Sequence, residues 1–208
     1  MIRYIEVGGI KMNKKYKITL EGNIGSGKTT LANALFEKMD ADYLILEEFE
    51  KNPYLSLLYE KADVAFETEM FFLVSRYSQL KNDNQDGLII SDYDMFKNLV
   101  FAETTIKNKE ELQKFKSIYN ILNIKSARSD LIVYLDTSVD TVVNRIKKRN
   151  RSMEIKLDKD YLANLNKNYK KYLKDMDNVI LIDANEFNVF DEKQLDNLVN
   201  KIKKYMEV

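Results

Sequence analysis

Histidine and cysteine are both absent from the 208 residues. Their absence excludes disulfides, thiol nucleophiles, thiolate or imidazole zinc sites and any histidine general acid or base. A proton acceptor in this chain must be a carboxylate, a lysine or a tyrosine. Net charge is absent as well, with 33 basic residues against 33 acidic ones. That balance offers no electrostatic footprint for a nucleic acid or a membrane surface as the main partner. No apolar run approaches the ~20 residues of a membrane span. Residues 1–11 have no signal-peptide core, and Met12-Asn13-Lys14-Lys15 has the form of an alternative start. We therefore read 1–11 as an extension and 12–208 as one cytoplasmic domain. Arginine is scarce: Arg3, Arg76, Arg128, Arg145, Arg149 and Arg151 are all there are. Three of them fall between 145 and 151, where planar, multi-donor phosphate recognition would be wanted.

What the chain does have is the stretch Glu21-Gly22-Asn23-Ile24-Gly25-Ser26-Gly27-Lys28-Thr29-Thr30. Gly22, Gly27, Lys28 and Thr29 fit the phosphate-loop pattern G-x-x-x-x-G-K-[ST]. Tyr16 to Leu20 before it is β-prone, and Leu31, Leu35 and Met39 after it recur at helical spacing. The glycines let the backbone from Gly22 to Thr30 turn its N–H groups around a polyphosphate, those of Asn23, Ile24, Gly25 and Ser26 included. The helix starting near Lys28 adds its positive end. Lys28 is expected at the β/γ-phosphates and the Thr29 hydroxyl at Mg²⁺, so ATP and Mg²⁺ are the expected cofactors. The alternative is a glycine-rich turn with no ligand.

Further along, Tyr43 to Leu46 reads as a strand ending at Glu47-Glu48, and a carboxylate at a strand's C-terminal end sits on the rim where parallel sheets bind ligands. Strand alternation is expected to turn Glu48 towards the phosphate loop and Glu47 away from it. Asn52-Pro53 breaks the chain. A helix from about Ala62 to Leu80 carries Glu69 and Arg76 two turns apart on one face. Leu88 to Ile90 is the next strand, closing at Asp92, which could hold a water of the Mg²⁺ shell; alternatively Asp92 or Asp94 caps the following helix. Helices are expected over Met95 to about Ile106 and Glu110 to about Ser126. The strand Asp130 to Asp136 is apolar enough to be central. Another helix leads into the basic run Arg145 to Arg151, read either as a solvated face or as an arginine lid that closes on the transferring phosphoryl. A helix from Asp158, a strand at Val179 to Ile182 and a helix from Glu192 complete an α/β domain. Its expected form is a doubly wound parallel sheet of about five strands with helices on both faces.

These residues resemble the deoxyribonucleoside kinase family of thymidylate-kinase-like phosphate-loop proteins, from Tyr16 onward. The resemblance rests on the phosphate loop; Glu48 followed by Asn52-Pro53-Tyr54; Tyr59; the helix with Phe66, Glu69 and Arg76; Ser91-Asp92-Tyr93; and Arg149-Asn150-Arg151-Ser152-Met153-Glu154. It implies a homodimer that transfers the ATP γ-phosphoryl to the 5′-hydroxyl of a deoxynucleoside. It makes Glu48 the general base, Tyr59 and Glu154 the partners of the sugar 3′-hydroxyl, and Arg149 and Arg151 the lid; beside the resemblance, Arg145 on the preceding helix is expected as a supporting charge. Two departures stand out. Glu69 replaces a glutamine that reads the base, and Tyr93 replaces an arginine, with Lys97 a turn further on as a substitute point charge.

The base follows from donor and acceptor chemistry. An ionised Glu69 only accepts, and guanine offers it two adjacent donors, N1–H and the 2-amino group, while O6 and N7 suit the Arg76 guanidinium. Deoxyguanosine is therefore expected ahead of deoxyadenosine; the alternative is that Glu69 and Arg76 pair with each other or neutralise a buried helix face. The competing readings are a nucleoside monophosphate kinase on the same scaffold and a non-catalytic nucleotide-binding module.

Overall fold

The computed structural model describes residues 14–81, 86–122, 128–151, 154 and 157–206. The extension over 1–11, the end of the helix expected to reach Ser126, and Ser152-Met153 of the arginine signature lie outside these residues. Among the described residues, β1 (Tyr16–Gly22), β2 (Tyr43–Ile45), β3 (Leu88–Ser91), β4 (Leu131–Asp136) and β5 (Val179–Asp183) form one sheet in the order β2-β3-β1-β4-β5. Every pairing is parallel, with Thr19 beside Ser91 and Gly22 beside Leu135. The chain runs to one side of β1 for β2 and β3 and to the other for β4 and β5. That reversal opens a crevice at the carboxyl ends of the central strands.

Helices cover both faces, and the inner strands are buried on both sides, β1 with Lys17, Thr19 and Glu21 buried as well as its apolar residues. Ile18, Leu20, Leu131, Val133 and Ile180 pack with α1 (Lys28–Lys38) and α8 (Glu192–Met206). Ile132 and Tyr134 point to the opposite face, against α4 (Lys97–Thr105) and α7 (Lys159–Leu173). α3 (Ala65–Leu80) packs outside α4 together with α5 (Lys109–Leu122) through Leu73, Leu80, Ala102, Phe115 and Tyr119. α6 (Val139–Arg149) is capped by the Ser138 side chain accepting from the Thr141 N–H, as expected from its serine.

Three boundaries differ from the sequence reading. β2 stops at Ile45, two residues before the carboxylates, so strand alternation no longer governs where they point. A 3₁₀ turn (Phe49–Lys51) and a short helix α2 (Leu55–Tyr59) occupy the stretch after the break, and α3 begins only at Ala65. These pieces form the rim of the crevice that bears Glu47, Phe49 and Tyr59.

Candidate active site

The phosphate loop is held from beneath by Asn23, whose amide donates to Leu162 O at 2.8 Å and to Asn166 Oδ1 at 2.7 Å on α7. Gly22 is required by space: a Cβ there would lie 2.9 Å from Leu135 O on the neighbouring strand. Gly27 caps α1 at φ +103° without a side-chain hydrogen bond, so the first N–H groups of that helix are left for a ligand. Lys28 Nζ donates to Gly22 O at 2.9 Å and Asn23 O at 2.8 Å, folding back over the loop. Burial pushes the Lys28 ammonium down to about 8, helped by the like charge of Lys97 and opposed by Glu21, Glu47 and Asp92. Ser26 Oγ is buried with no partner. An under-partnered hydroxyl, open amides and a destabilised ammonium in one loop fit a polyphosphate anion.

Asp92 links the two halves of the site. Its Oδ2 accepts from Thr29 Oγ1 at 2.8 Å and its Oδ1 from the Glu47 N–H at 2.8 Å. Neither Asp92 nor Asp94 caps α4, whose N-cap is Phe96 without a side-chain bond; Asp94 Oδ1 accepts from the Phe96 N–H in the turn before the helix. Among the described residues no group of three or more carboxylates is placed to hold a metal ion by itself. One carboxylate and one hydroxyl suit Mg²⁺, which keeps several waters and takes its remaining ligands from phosphate.

Glu47 and Glu48 are reversed relative to expectation. Glu48 is exposed and its Oε1 accepts from Lys51 Nζ at 2.7 Å, away from the phosphate loop. Glu47 faces the crevice, where Oε1 accepts from Arg76 Nε at 3.0 Å and from Arg76 Nη2, and Oε2 accepts from Lys97 Nζ at 2.7 Å. Burial alone would raise its pKa, but Arg76 and Lys97 outweigh it and hold the carboxyl well below the usual range. One signal for this was present in the sequence: Lys51 lies three residues after Glu48, the spacing of an exposed pair on a helical turn.

Arg76 is 2% exposed, and its Nη1 donates to Asn98 Oδ1. Its guanidinium lies 4.8 Å from the centre of the Phe72 ring and 5.7 Å from that of Tyr93. Its carboxylate partner is Glu47 rather than Glu69, so it clamps the acidic group as well as lining the cavity. Glu69 is 1% exposed, with Oε1 accepting from Thr105 Oγ1 at 2.9 Å and Oε2 unpartnered. Tyr59 and Tyr161 stand edge to face across the same cavity. Burial, with Glu154, Glu69 and Glu47 adding, keeps the Tyr59 phenol protonated well beyond its ordinary value. Phe72 and Tyr161 line the wall, while Asn98 and Thr105 stand behind it on Arg76 and Glu69; sequence reasoning singled out none of the four.

Two cavities meet at Gly25 and Arg149, which line both. The first, about 280 Å³, runs past Ser26, Gly27, Thr30, Arg145 and the loop Phe187 to Phe190. Arg145 braces it, donating to Ser26 O at 2.8 Å and Ala184 O at 2.6 Å. The second contains Lys28, Thr29, Glu47, Tyr59, Glu69, Arg76, Asp92, Lys97, Arg149 and Arg151. Arg149 Nη2 donates to Glu154 Oε2, Arg151 Nη1 lies 3.5 Å from Glu154 Oε1, and the Arg151 guanidinium sits 4.5 Å from the centre of the Phe49 ring. Glu154 thus pairs with both arginines rather than lining the cavity. Ile24 and Gly25 continue the loop between the cavities.

A family model described as deoxynucleoside kinase matches residues 18–207. The chain belongs to the deoxynucleoside kinase family. The deoxyguanosine kinase of Bacillus subtilis (strain 168) is 38% identical over 171 residues, 79% of this chain and 82% of that protein. The deoxyadenosine kinase of Dictyostelium discoideum is 31% identical over 201 residues, 88% and 77% of the two chains. The deoxyadenosine kinase from M. mycoides with bound dATP superimposes with a TM-score of 0.78 at 27% identity, covering 91% of this chain and 100% of that one. A deoxynucleoside kinase brings a nucleotide and a deoxynucleoside together, which accounts for two cavities meeting at one phosphate loop.

Proposed function

We propose that the protein transfers the γ-phosphoryl of ATP, bound with Mg²⁺, to the 5′-hydroxyl of a purine deoxynucleoside, deoxyguanosine before deoxyadenosine. The observation that carries this is the double role of Asp92, one oxygen on the Thr29 hydroxyl and the other on the Glu47 N–H. It sets a buried carboxylate beside the phosphate loop, where an acceptor hydroxyl must lie. The nucleotide fills the cavity braced by Arg145, and its phosphates take the Lys28 ammonium and the open amides of α1. Thr29 and Asp92 hold Mg²⁺, which supplies positive charge at the phosphate oxygens.

Glu47 accepts the 5′-hydroxyl hydrogen bond and then its proton. A carboxylate held ionised is a weak base, but phosphoryl transfer through a loose transition state asks chiefly for positioning and charge stabilisation. Lys97 and Arg76 fix where the carboxylate points. Tyr59, kept neutral, serves as a donor to the sugar 3′-hydroxyl, with Glu154 behind it. Arg149 spans both cavities and, with Arg151, neutralises charge on the group in flight. Glu69 meets the base through its unpartnered oxygen, in keeping with the relatives named for deoxyguanosine and deoxyadenosine.

The reading includes a cytoplasmic homodimer of one-domain subunits, to be tested by light scattering of the purified protein. No helix of the described residues is long and apolar enough to cross a membrane. The decisive experiment is ADP release measured with the four deoxynucleosides and with the corresponding monophosphates. Turnover confined to deoxynucleosides, fastest with deoxyguanosine, is expected. Preference for a monophosphate, or no turnover with any acceptor, overturns the reading.

A further inference from the structure

Glu69 is bonded on one side only. Thr105 Oγ1 approaches its Oε1 at 2.9 Å, while Oε2 is buried without a partner, and Glu69 lines the same cavity as Tyr59, Phe72, Arg76 and Tyr161. A buried carboxyl oxygen with no donor is costly in the free protein, so the arrangement is suited to a ligand that completes it. Resting on the purine reading above, we propose that Glu69 reads both purines, guanine as the carboxylate and adenine as the carboxylic acid, with Thr105 steering the proton to the oxygen that faces the base.

The hydroxyl of Thr105 has a single hydrogen and two acceptors, Glu69 Oε1 and Phe101 O, each at 2.9 Å. Directed to Oε1, that hydrogen occupies one carboxyl oxygen and leaves Oε2 as the site where a proton would settle. Ionised, the carboxylate accepts from guanine N1–H and the 2-amino group. Protonated on Oε2, it donates to the acceptor nitrogen of adenine while Oε1, which has a second lone pair, accepts from the 6-amino group. The two forms present complementary patterns, and each is mismatched to the other base, which leaves a buried group unpaired.

Burial pushes the Glu69 carboxyl up to about 7, with Glu47 adding to the rise and Arg76, the Thr105 hydrogen bond and Lys97 opposing it. The charged and titratable groups lining its cavity come from every neighbouring element: Glu47 from the rim, Tyr59 from α2, Arg76 from α3, Asp92 after β3, Lys97 from α4, Arg149 and Arg151 at and after the end of α6, and Tyr161 from α7, with Lys28 in the phosphate loop. Glu47 is held ionised well below neutrality, Arg76 is cationic throughout, Lys97 is ion-paired to Glu47, and both phenols are pushed far above neutrality. Glu21 and Lys28 have values near neutrality, but they act on the phosphate side and affect both substrates alike.

The test is the ratio of kcat/KM for deoxyguanosine to that for deoxyadenosine between about pH 5.5 and about pH 8.5, since groups common to both reactions cancel in a ratio. In the wild type the ratio should rise about tenfold or more with pH. Glu69→Gln should favour deoxyadenosine with no pH dependence. Thr105→Val removes a donor to the carboxylate and should move the midpoint to higher pH, and Thr105→Ser should restore it. If Glu69→Gln inverts the preference while the wild-type ratio stays flat, base reading by Glu69 stands and the protonation proposal is wrong. If Glu69→Gln leaves the ranking unchanged, Glu69 does not read the base and the proposal falls, while the purine reading is decided separately by the wild-type ranking of the four deoxynucleosides.

Discussion

Lys97 Nζ donates to Glu47 Oε2 at 2.7 Å with only 2% of the lysine side chain exposed, and Arg76 holds the other oxygen of the same carboxylate. Lys97 belongs to α4, a turn beyond Tyr93, where the family pattern read from the sequence places an arginine. Tyr93 is fully buried and puts its ring beside the Arg76 guanidinium. The cation near the acceptor site thus comes from a different residue, as a point charge instead of a planar fork.

This geometry predicts opposite outcomes for adjacent glutamates. Glu47→Gln should lower kcat by roughly 10²-fold or more while deoxynucleoside binding persists. Glu48→Gln, which removes only an exposed pair with Lys51, should leave kcat nearly unchanged. Lys97→Met should also lower kcat, and by less in a Glu47→Gln background than alone, because the two act as a unit. A larger effect at Glu48 in steady-state kinetics would refute the placement.

The phosphate loop was legible because its pattern depends on local chain geometry: glycines at positive φ, then a lysine and a hydroxyl at the helix start. The parallel sheet was legible for a similar reason, since a doubly buried strand such as β4 is apolar from Leu131 to Leu135. The Glu47 and Glu48 assignment was not, because alternation holds only inside a strand and β2 ends at Ile45. Thr105, Asn98 and Tyr161 were hidden by sequence distance; they come to the site or its supports through the packing of α4 against both α3 and α7, which no local pattern encodes. Glu69 could be singled out only as a departure, and its bond to Thr105 36 residues away became visible with the fold.

Lys28→Ala should keep the fold and lose nearly all turnover, about 10³-fold or more, as expected where a charge on the transferring group is removed. Because burial disfavours its ammonium in the free protein, the variant should unfold at a temperature no lower than the wild type without nucleotide. What it should lose is the rise in melting temperature on adding ATP and Mg²⁺, since that rise measures binding to the folded state. Wild-type turnover from a folded Lys28→Ala protein would end the kinase mechanism.

Arg149 and Arg151 line the acceptor cavity and pair with Glu154. Their contact with the transferring group strengthens as charge spreads over it, so their loss should act on the transition state more than on the bound substrate. Arg149→Ala and Arg151→Ala should each lower kcat by about 10²-fold with a smaller change in the deoxynucleoside KM. A variant altered in KM alone would show that these side chains bind rather than catalyse.

Glu21, fully buried at the end of β1, accepts from the Asp94 N–H at 2.7 Å and from Tyr169 Oη at 2.9 Å. Burial pushes its carboxyl up from the ordinary 4.5 to about 7, with Asp94 adding and Lys97, the Asp94 N–H and Lys28 opposing. The folded protein therefore keeps a proton that the unfolded chain releases, and stability falls as pH rises from about 4.5 towards 7. Glu69 acts in the same window and the same direction. Glu47 has the opposite sign, its contribution being complete above the ordinary carboxylate value and lost as pH falls below it. Glu21→Gln preserves an acceptor for the Asp94 N–H and carries no charge to bury. Its melting temperature without nucleotide should match the wild type near pH ~5 and exceed it by several degrees near pH ~8, where each kcal/mol is worth roughly 2–4 °C in a chain of this size. A difference that stays constant between those two pH values would show that Glu21 does not hold its proton in the folded state.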